Sequence, residues 1–298
     1  MKRLVYFFFR GMIALLSVLP DRGLYMVSAV LRILLLNILQ YRKKVVDRNL
    51  MNSFPALSPS SLAAIRRKYY QNLADLLIES LASYGWTVDR IHRHFRYLNP
   101  ELLQEYIAQG RMVIGVTAHT GNFELGAVLT QPVLGLPCYA VYRPLANPHI
   151  DRFIYKKRSG QGITLRSDKK TGELIDMMAP PAILFLIADQ NPAIISKAKW
   201  VPFLNQDTAF VHGPATISKM RDLPVIYFDV VRIRQGYYEC TLSKLIENPA
   251  ELTEQEILER YASKLESCLN THKDDWLWSH KRWKWKREGG TVVRNPVY

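Results

Sequence analysis

Short apolar runs alternate with segments of helical periodicity between residues 113 and 188, and this alternation limits the fold more than any other feature of the chain. A chain that alternates strands and helices in this way builds a largely parallel sheet with helices covering both faces. We therefore predict an α/β fold with a largely parallel central sheet. The predicted strands are 113–116, 136–142, 163–166 and 182–188, and the helices between them contain 125–129, 147–158 and 171–178.

Two later apolar runs, 224–233 and 237–245, are separated only by the turn residues 234–236. This spacing predicts an antiparallel hairpin, which we place on the edge of the sheet. No internal repeat or linker interrupts residues 58–298, so we predict a single α/β domain over that range. Helical periodicity predicts further helices over 58–84, 101–108 and 254–271, and one that ends at 221.

The N-terminal region is the most apolar part of the chain. Residues 4–20 follow a basic start, and a second apolar stretch over 24–41 is broken by Arg32. Neither stretch is a clean span of about 20 apolar residues, and no signal-peptide cleavage site closes the first. We predict that residues 1–57 form a membrane-associated helical segment at the interface, with the basic cluster 42–44 facing anionic headgroups. Packing of these helices into the protein's own core is the alternative.

The formal net charge of +14 indicates an anionic partner, which could be nucleic acid, an anionic membrane or an acidic carrier protein. The three cysteines are widely spaced and form no CxxC pair, so we predict neither disulfides nor a zinc site, and a reducing, cytosol-facing location. The glycine patterns of dinucleotide and phosphate loops are absent, as are GxSxG and HExxH. The chemistry of this chain is therefore predicted to need no metal.

A polar turn, residues 118–124, joins the first predicted strand to the following helix and carries His119 and Glu124. With 120–122 as a tight turn and helix cap, the imidazole and the carboxylate could converge in one crevice. That is the arrangement of a general base oriented by a carboxylate. A histidine that only bonds backbone at a strand end is the alternative.

Polar residues also end the other predicted strands, where ligands bind in open α/β sheets. Arg143, Arg166 and Asp189 follow the second, third and fourth strands. The arginines could bind a phosphate or carboxylate bidentately, and Asp189 is a second carboxylate that could orient His119. Surface ion pairs for the arginines, and a turn cap for Asp189, are the alternatives.

The C-terminal segment 276–287 interleaves four tryptophans with five basic residues. This composition is typical of a membrane interface or of a surface that binds single-stranded nucleic acid. Nucleic acid would leave the apolar N-terminus unexplained. The alternative is a final amphipathic helix whose tryptophans pack on the sheet.

Four ordered sequence blocks, with a matching N-terminal region, resemble the bacterial lipid A biosynthesis acyltransferases. These are the late, lauroyl- or myristoyl-transferring enzymes, which are related to mycobacterial mannoside acyltransferases and more distantly to glycerolipid acyltransferases. The resemblance extends over nearly the whole chain. Its blocks are 119–124, 142–148, 188–190 and 276–284, and the N-terminal match lies within 42–55.

This resemblance implies acyl transfer from acyl carrier protein to a hydroxyl of a lipid-linked sugar acceptor, at the cytoplasmic face of the bacterial inner membrane. The partners it implies are acyl carrier protein, the anionic membrane and the glycolipid acceptor, without nucleic acid. No cofactor is implied beyond acyl carrier protein as co-substrate. Another glycolipid or lysophospholipid acceptor, or a non-catalytic lipid-binding relative, is the alternative.

The resemblance also implies roles for the candidate residues. His119 would take the hydroxyl proton and Glu124 would orient the imidazole. Backbone N–H groups of the turn that contains Thr120, Gly121 and Asn122 would stabilise the thioester oxyanion. Arg143, Arg166 and Arg158 would hold a phosphate of the acceptor or of the phosphopantetheine, and the role of Asp189 is left open.

Overall fold

The computed structural model describes residues 1–160, 162–296 and 298 and has the predicted α/β architecture. Its strands are β1 Phe95–Tyr97, β2 Met112–Thr117, β3 Cys138–Tyr142, β4 Ile163–Ser167, β5 Ala182–Ile187, β6 Lys199–Phe203, β7 Gln206–Phe210, β8 Val225–Arg234, β9 Tyr237–Ile246, β10 Trp285–Glu288 and β11 Thr291–Arg294. Its α-helices are α1 Lys2–Val18, α2 Asp21–Ile33, α3 Lys43–Ser53, α4 Pro59–Ser83, α5 Val88–His94, α6 Gln104–Ala108, α7 Phe123–Leu134, α8 Pro148–Ser159, α9 Thr171–Asp176, α10 Gly213–Arg221 and α11 Glu254–Thr271.

Within the described residues, the central sheet has seven strands in the order β1, β9, β8, β2, β5, β3, β4. Every neighbouring pair is parallel except β8 and β9, which form the predicted antiparallel hairpin. The prediction that this hairpin lies on the edge is wrong. The short strand β1 pairs in parallel with β9 and is itself the edge.

Helices cover both faces of this sheet, as predicted. Along β2, Val113 packs into a cluster with Leu125 and Leu129 of α7, whereas Ile114 packs into a second cluster with α4 and α11 on the opposite face. A strand that is buried on both faces is apolar throughout, which is why β2 appears in the sequence as a continuous apolar run.

The N-terminal helices pack on the rest of the protein along one side only. Leu16 of α1 and Leu24 of α2 pack against Ile78 and Ala82 of α4. Their other sides expose large apolar side chains. These include Leu4, Phe7, Phe8, Leu15, Val18, Met26, Val30 and Ile33.

Among the described residues, no single helix is long and apolar enough to cross a bilayer. Two helical segments meet the length and hydropathy criteria only when taken together, with a bend of 86° between them. The first, Asp21–Ile38, is α2 with the π-helical turn Leu34–Ile38 that continues it, and the second is α3, Lys43–Ser53.

The C-terminal segment is neither a helix nor an exposed aromatic surface. Trp276, Trp278 and Trp283 are buried, and the chain ends in the two-stranded sheet of β10 and β11. The alternative of a final amphipathic helix is therefore wrong. Its second part, that tryptophans of this segment pack into the protein, is observed. Trp276 and Trp278 are two residues apart, a spacing that places both on one side of an extended chain but not of a helix.

Candidate active site

The site forms where two neighbouring parallel strands end. Thr117 of β2 and Ile187 of β5 are register partners, and His119 and Asp189 each follow two residues later. The sheet therefore delivers both side chains to the same edge, beyond the carboxyl ends of the strands, where α/β folds bind their ligands.

Asp189 holds His119 by two hydrogen bonds. The imidazole Nδ1 lies 2.7 Å from Asp189 Oδ1, and the backbone N–H of His119 donates to Oδ2 over 2.9 Å. Trp276 Nε1–H donates to the same Oδ2 over 2.7 Å. With three donors on a carboxylate that is 2 % exposed, Asp189 is fixed in both position and charge.

Electrostatics favour the charged forms of this pair. Burial alone would lower the pKa of His119, but the Asp189 carboxylate, its hydrogen bond and the more distant charge of Glu124 outweigh burial and raise that pKa above its ordinary value. For Asp189, burial alone would raise the pKa, but His119 and the N–H donors hold that pKa far below its ordinary value. An imidazole so supported is suited to accepting a proton.

The other ring nitrogen of His119 faces Gln190. Its Nε2 lies 3.1 Å from the side-chain Nε2 of that residue. Because the carboxylate of Asp189 requires a proton on Nδ1, the neutral imidazole has its lone pair on Nε2, and the Gln190 amide donates to it. Phe123 packs edge-on against the ring, with centroids 5.0 Å apart.

The structure corrects the expected role of Glu124. The sequence assigned Glu124 as the group that orients His119 and gave Asp189 as a second candidate, but Asp189 occupies that position and Glu124 forms an ion pair with Arg158 of α8. Glu124 does lie in the first turn of α7, as predicted. Glu124 and Arg158 are both among the residues that line the main cavity of the protein, which begins at His119, so Arg158 contributes to its wall as part of an ion pair.

The turn residues shape the loop and lie away from the cavity wall. Thr120 and Asn122 are buried, and the φ of +51° at Gly121 suits glycine, where a Cβ would come within 2.8 Å of Val230. Asn122 caps α7 by accepting from the Leu125 N–H, as predicted. None of the three turn residues is among the described residues that line the main cavity, and their expected contact with substrate stays a prediction.

A buried carboxylate lies behind this turn. Glu79 of α4 accepts hydrogen bonds from Asn122 Nδ2 at 2.8 Å, Tyr238 OH at 2.8 Å and Tyr25 OH at 3.1 Å. Burial raises the pKa of Glu79 to about 7, although the hydrogen bonds from Asn122 and Tyr238 and the charge of Arg232 lower it. Glu79 thus links α2, α4 and the hairpin of β8 and β9 to the turn that holds His119.

The two remaining arginines occupy different places. Arg143 lies at the cavity mouth, where it pairs with Asp168 at 3.2 Å and is 72 % exposed. Arg166 donates to the backbone oxygen of Leu165 and is not among the described residues lining the cavity. The sequence thus placed one of these two arginines, Arg143, on the same cavity as His119.

That cavity has a volume of about 930 Å³ and extends from His119 along the sheet beside α7. Its inner part includes the Tyr97 hydroxyl, which donates to the Gly126 carbonyl and lies 3.1 Å from the Thr130 hydroxyl. The wall is largely apolar and includes Phe123, Ala127, Ala140, Leu165, Phe185 and Phe228. A chamber of this kind can hold a hydrocarbon chain with its reactive end at His119.

Three residues at the site were not singled out from the sequence as candidates. Gln190 and Trp276 lie within the sequence blocks 188–190 and 276–284, but nothing in their spacing predicts contacts with His119 or Asp189. Glu79 follows the helical periodicity of α4, and only its burial shows that it is unusual. Among residues 1–160, 162–296 and 298, no group of three or more His, Cys, Asp or Glu side chains could hold a metal ion.

Comparison with known proteins agrees with the resemblance seen in the sequence. The profile of the bacterial lipid A biosynthesis acyltransferases matches residues 1–285. The chain is also similar to the lipid A biosynthesis lauroyltransferase of Escherichia coli strain K12. The two are 25 % identical over 282 residues, which cover 94 % of this chain and 91 % of the relative.

Proposed function

Because the chain belongs to the bacterial lipid A biosynthesis acyltransferase family, we propose that it moves a fatty acyl chain from acyl carrier protein to a hydroxyl of a lipid A precursor. The observation that carries this proposal is the His119–Asp189 pair at the edge of a largely apolar cavity of about 930 Å³. The acyl transfer follows from the family, and the donor, the acceptor and the residue roles are the proposal.

His119 acts as the general base. Its Nε2 takes the proton of the acceptor hydroxyl while the oxygen attacks the thioester carbon, and Asp189 stabilises the imidazolium that forms. This arrangement has the logic of a Ser-His-Asp triad in which the substrate supplies the hydroxyl. Proton transfer of this kind contributes about 100- to 10,000-fold to the rate.

The apolar cavity receives the acyl chain. Each methylene group that leaves water contributes about 0.8 kcal/mol, so chain length strongly affects binding until the chamber is full. The Glu124–Arg158 pair borders the same cavity near His119. In that position it supports the α7 and α8 sides of the mouth rather than the imidazole.

The acidic carrier protein docks on the basic rim of the cavity. Arg143 and Lys169 line the mouth, Lys170 follows directly, and all three are exposed. Such a rim attracts an anionic partner and raises the rate of encounter at low salt. The chain needs no further cofactor, because the thioester already activates the acyl group.

The exposed apolar sides of α1 and α2 attach the protein to the cytoplasmic face of the inner membrane. Phe9 of α1 packs against Phe153 of α8, and Asn147 donates to the Lys2 carbonyl. α1 therefore packs beside the helix that carries Arg158 and borders the cavity. A membrane-bound acceptor could reach His119 from this side, which supports assigning residues 1–57 to membrane association.

Mass spectrometry of membrane lipids tests this function. Cells with and without the gene, and cells that carry His119→Ala, are compared. We expect lipid A to lack one acyl chain without the gene and with the variant, and the missing mass would give the chain length. Unchanged lipid A with a missing chain in another glycolipid or in phospholipid would give a different acceptor, and unchanged lipids throughout would contradict the enzymatic role.

A further inference from the structure

The proposed reaction places a negative charge on the thioester oxygen, which needs hydrogen-bond donors on the cavity wall. The turn after β2 supplies fewer of them than its sequence suggests. The His119 backbone N–H donates to Asp189, and the Gly121 N–H donates to the Asp275 carbonyl over 3.3 Å. These two N–H groups are thus already bonded within the protein, and a side-chain donor from another element can take their place.

The Gln190 carboxamide is in the right place. It lines the cavity and lies 3.1 Å from His119 Nε2, the atom at which the acceptor hydroxyl must lose its proton. The chain on both sides of Gln190 is fixed. Asp189 has its three hydrogen bonds, and Asn191 donates through its backbone N–H to His280 Nε2 over 3.2 Å and through its side chain to the Lys281 carbonyl.

We infer that Gln190 is a catalytic residue whose side-chain N–H groups donate to the thioester oxyanion. This inference rests on the proposed function. The acceptor hydroxyl takes the place of the amide at Nε2, and the amide turns its N–H to the adjacent carbonyl oxygen.

The steps balance in protons and electrons. The hydroxyl oxygen forms a bond to the thioester carbon as the π electrons of the carbonyl move to oxygen, and the hydroxyl proton moves to His119 Nε2. The oxyanion, held by Gln190, then collapses and the C–S bond breaks. The leaving thiolate takes the proton from Nε2, which restores the neutral imidazole.

Gln190 has a second effect in the free enzyme. Its N–H donates to the lone pair of Nε2, and that bond exists only while the imidazole is neutral. It therefore opposes the effect of Asp189 and keeps more of the base in its active form. A glutamine can do this because it is an uncharged donor, whereas a glutamate would stabilise the protonated ring.

Two variants test the inference in the full-length protein, with acyl carrier protein as donor and a lipid A precursor as acceptor. For Gln190→Ala and Gln190→Glu we expect kcat to fall about 100- to 1,000-fold, the loss typical of one oxyanion donor, and KM for the donor to change by less than about 3-fold. The acid limb of the kcat/KM profile should move to higher pH, and further for Gln190→Glu. Gln255→Glu, a remote glutamine in α11, should change neither quantity.

The outcomes separate the inference from the function on which it rests. If His119→Ala is inactive while Gln190→Ala keeps kcat within about 3-fold, the inference is wrong and the proposed function stands. A fall in kcat without a shift of the acid limb would assign the loss to packing and also overturn it. Full transfer by His119→Ala would instead contradict the proposed base.

Discussion

The Asp189 carboxylate accepts both the backbone N–H and the Nδ1–H of His119, at 2.9 and 2.7 Å. One residue therefore fixes the main chain and the ring of the other. The imidazole is held in one tautomer with Nε2 directed toward Gln190 and the cavity. Because this contact joins the ends of two adjacent parallel strands, the sheet itself holds the proposed base in position.

Asp189→Asn should lower both the rate and the pKa of the base. The carboxylate raises the pKa of His119, so its removal lets that pKa fall, and the acid limb of kcat/KM should move to lower pH. We expect kcat to fall about 100- to 10,000-fold, because the tautomer and the imidazolium both lose their support. The measurement is a pH–rate profile of acyl transfer.

Asp176→Asn provides the matched control for that experiment. Asp176 is an exposed carboxylate that pairs with Arg221 at the end of α9, away from the described cavity wall. Its substitution should leave the profile unchanged. An Asp189→Asn enzyme with the wild-type acid limb and wild-type kcat would show that Asp189 does not act on His119.

Glu124 and Arg158 should behave as one unit. Loss of either partner leaves the other as an unpaired charge on the cavity wall, so the effects of Glu124→Gln and Arg158→Gln should not add. A double-mutant cycle on kcat/KM should give a coupling of about 0.5–3 kcal/mol, with the double variant more active than additivity predicts. If the effects of Glu124→Gln and Arg158→Gln are additive, and Glu124→Gln is instead coupled to Asp189→Asn, then Glu124 would be the group that orients His119.

Charge reversal on the basic rim should affect the carrier protein selectively. Lys169→Glu/Lys170→Glu is expected to lower kcat/KM for acyl carrier protein about 10- to 1,000-fold at low salt, since steering of an acidic partner is lost. The effect should shrink as salt rises. With acyl-pantetheine, which has the same thioester without the protein, activity should change by less than about 3-fold.

Lys286→Glu is the control for the rim, because Lys286 lies on β10 and carries the same charge outside the described cavity wall. Equal losses with both donors would show that the rim acts on the cavity itself rather than on the carrier protein.

The exposed side of α1 should determine membrane binding. Phe7 and Phe8 are 67 % and 74 % exposed, and burial of each phenylalanine contributes about 1.5–3 kcal/mol. Phe7→Ser/Phe8→Ser should weaken sedimentation with anionic vesicles at least about 10-fold. Met220→Ser, a substitution of an equally exposed residue on α10, should have no effect, and equal losses for both variants would contradict a specific membrane surface.

The fold could be predicted where local pattern decides it. The strands β2 and β5 lie inside the sheet and are apolar because both of their faces are covered over most of their length, and the sequence shows this directly. The position of the hairpin could not be predicted. It depends on Phe95–Tyr97, three residues too few to show a period, which pair with β9 more than a hundred residues later in the chain.

The site could be predicted in part, for the same reason. His119 was identified because it ends a strand and begins a turn. The sequence alone could not decide whether Glu124 or Asp189 is the partner of His119. The separation of five residues between His119 and Glu124 is visible in the sequence, whereas the approach of Asp189 to His119 depends on β5 lying beside β2. The ion pair of Glu124 depends likewise on the docking of α8. Sheet order and helix docking are long-range properties that local spacing does not contain.

Transfer of a labelled acyl chain from acyl carrier protein to a lipid A precursor by the purified protein tests the central claim most directly. We predict that the wild-type protein forms the acylated product and that His119→Ala reduces the rate about 100- to 10,000-fold while membrane binding is unchanged. Full transfer by His119→Ala, or no transfer by the wild-type protein, would contradict the account.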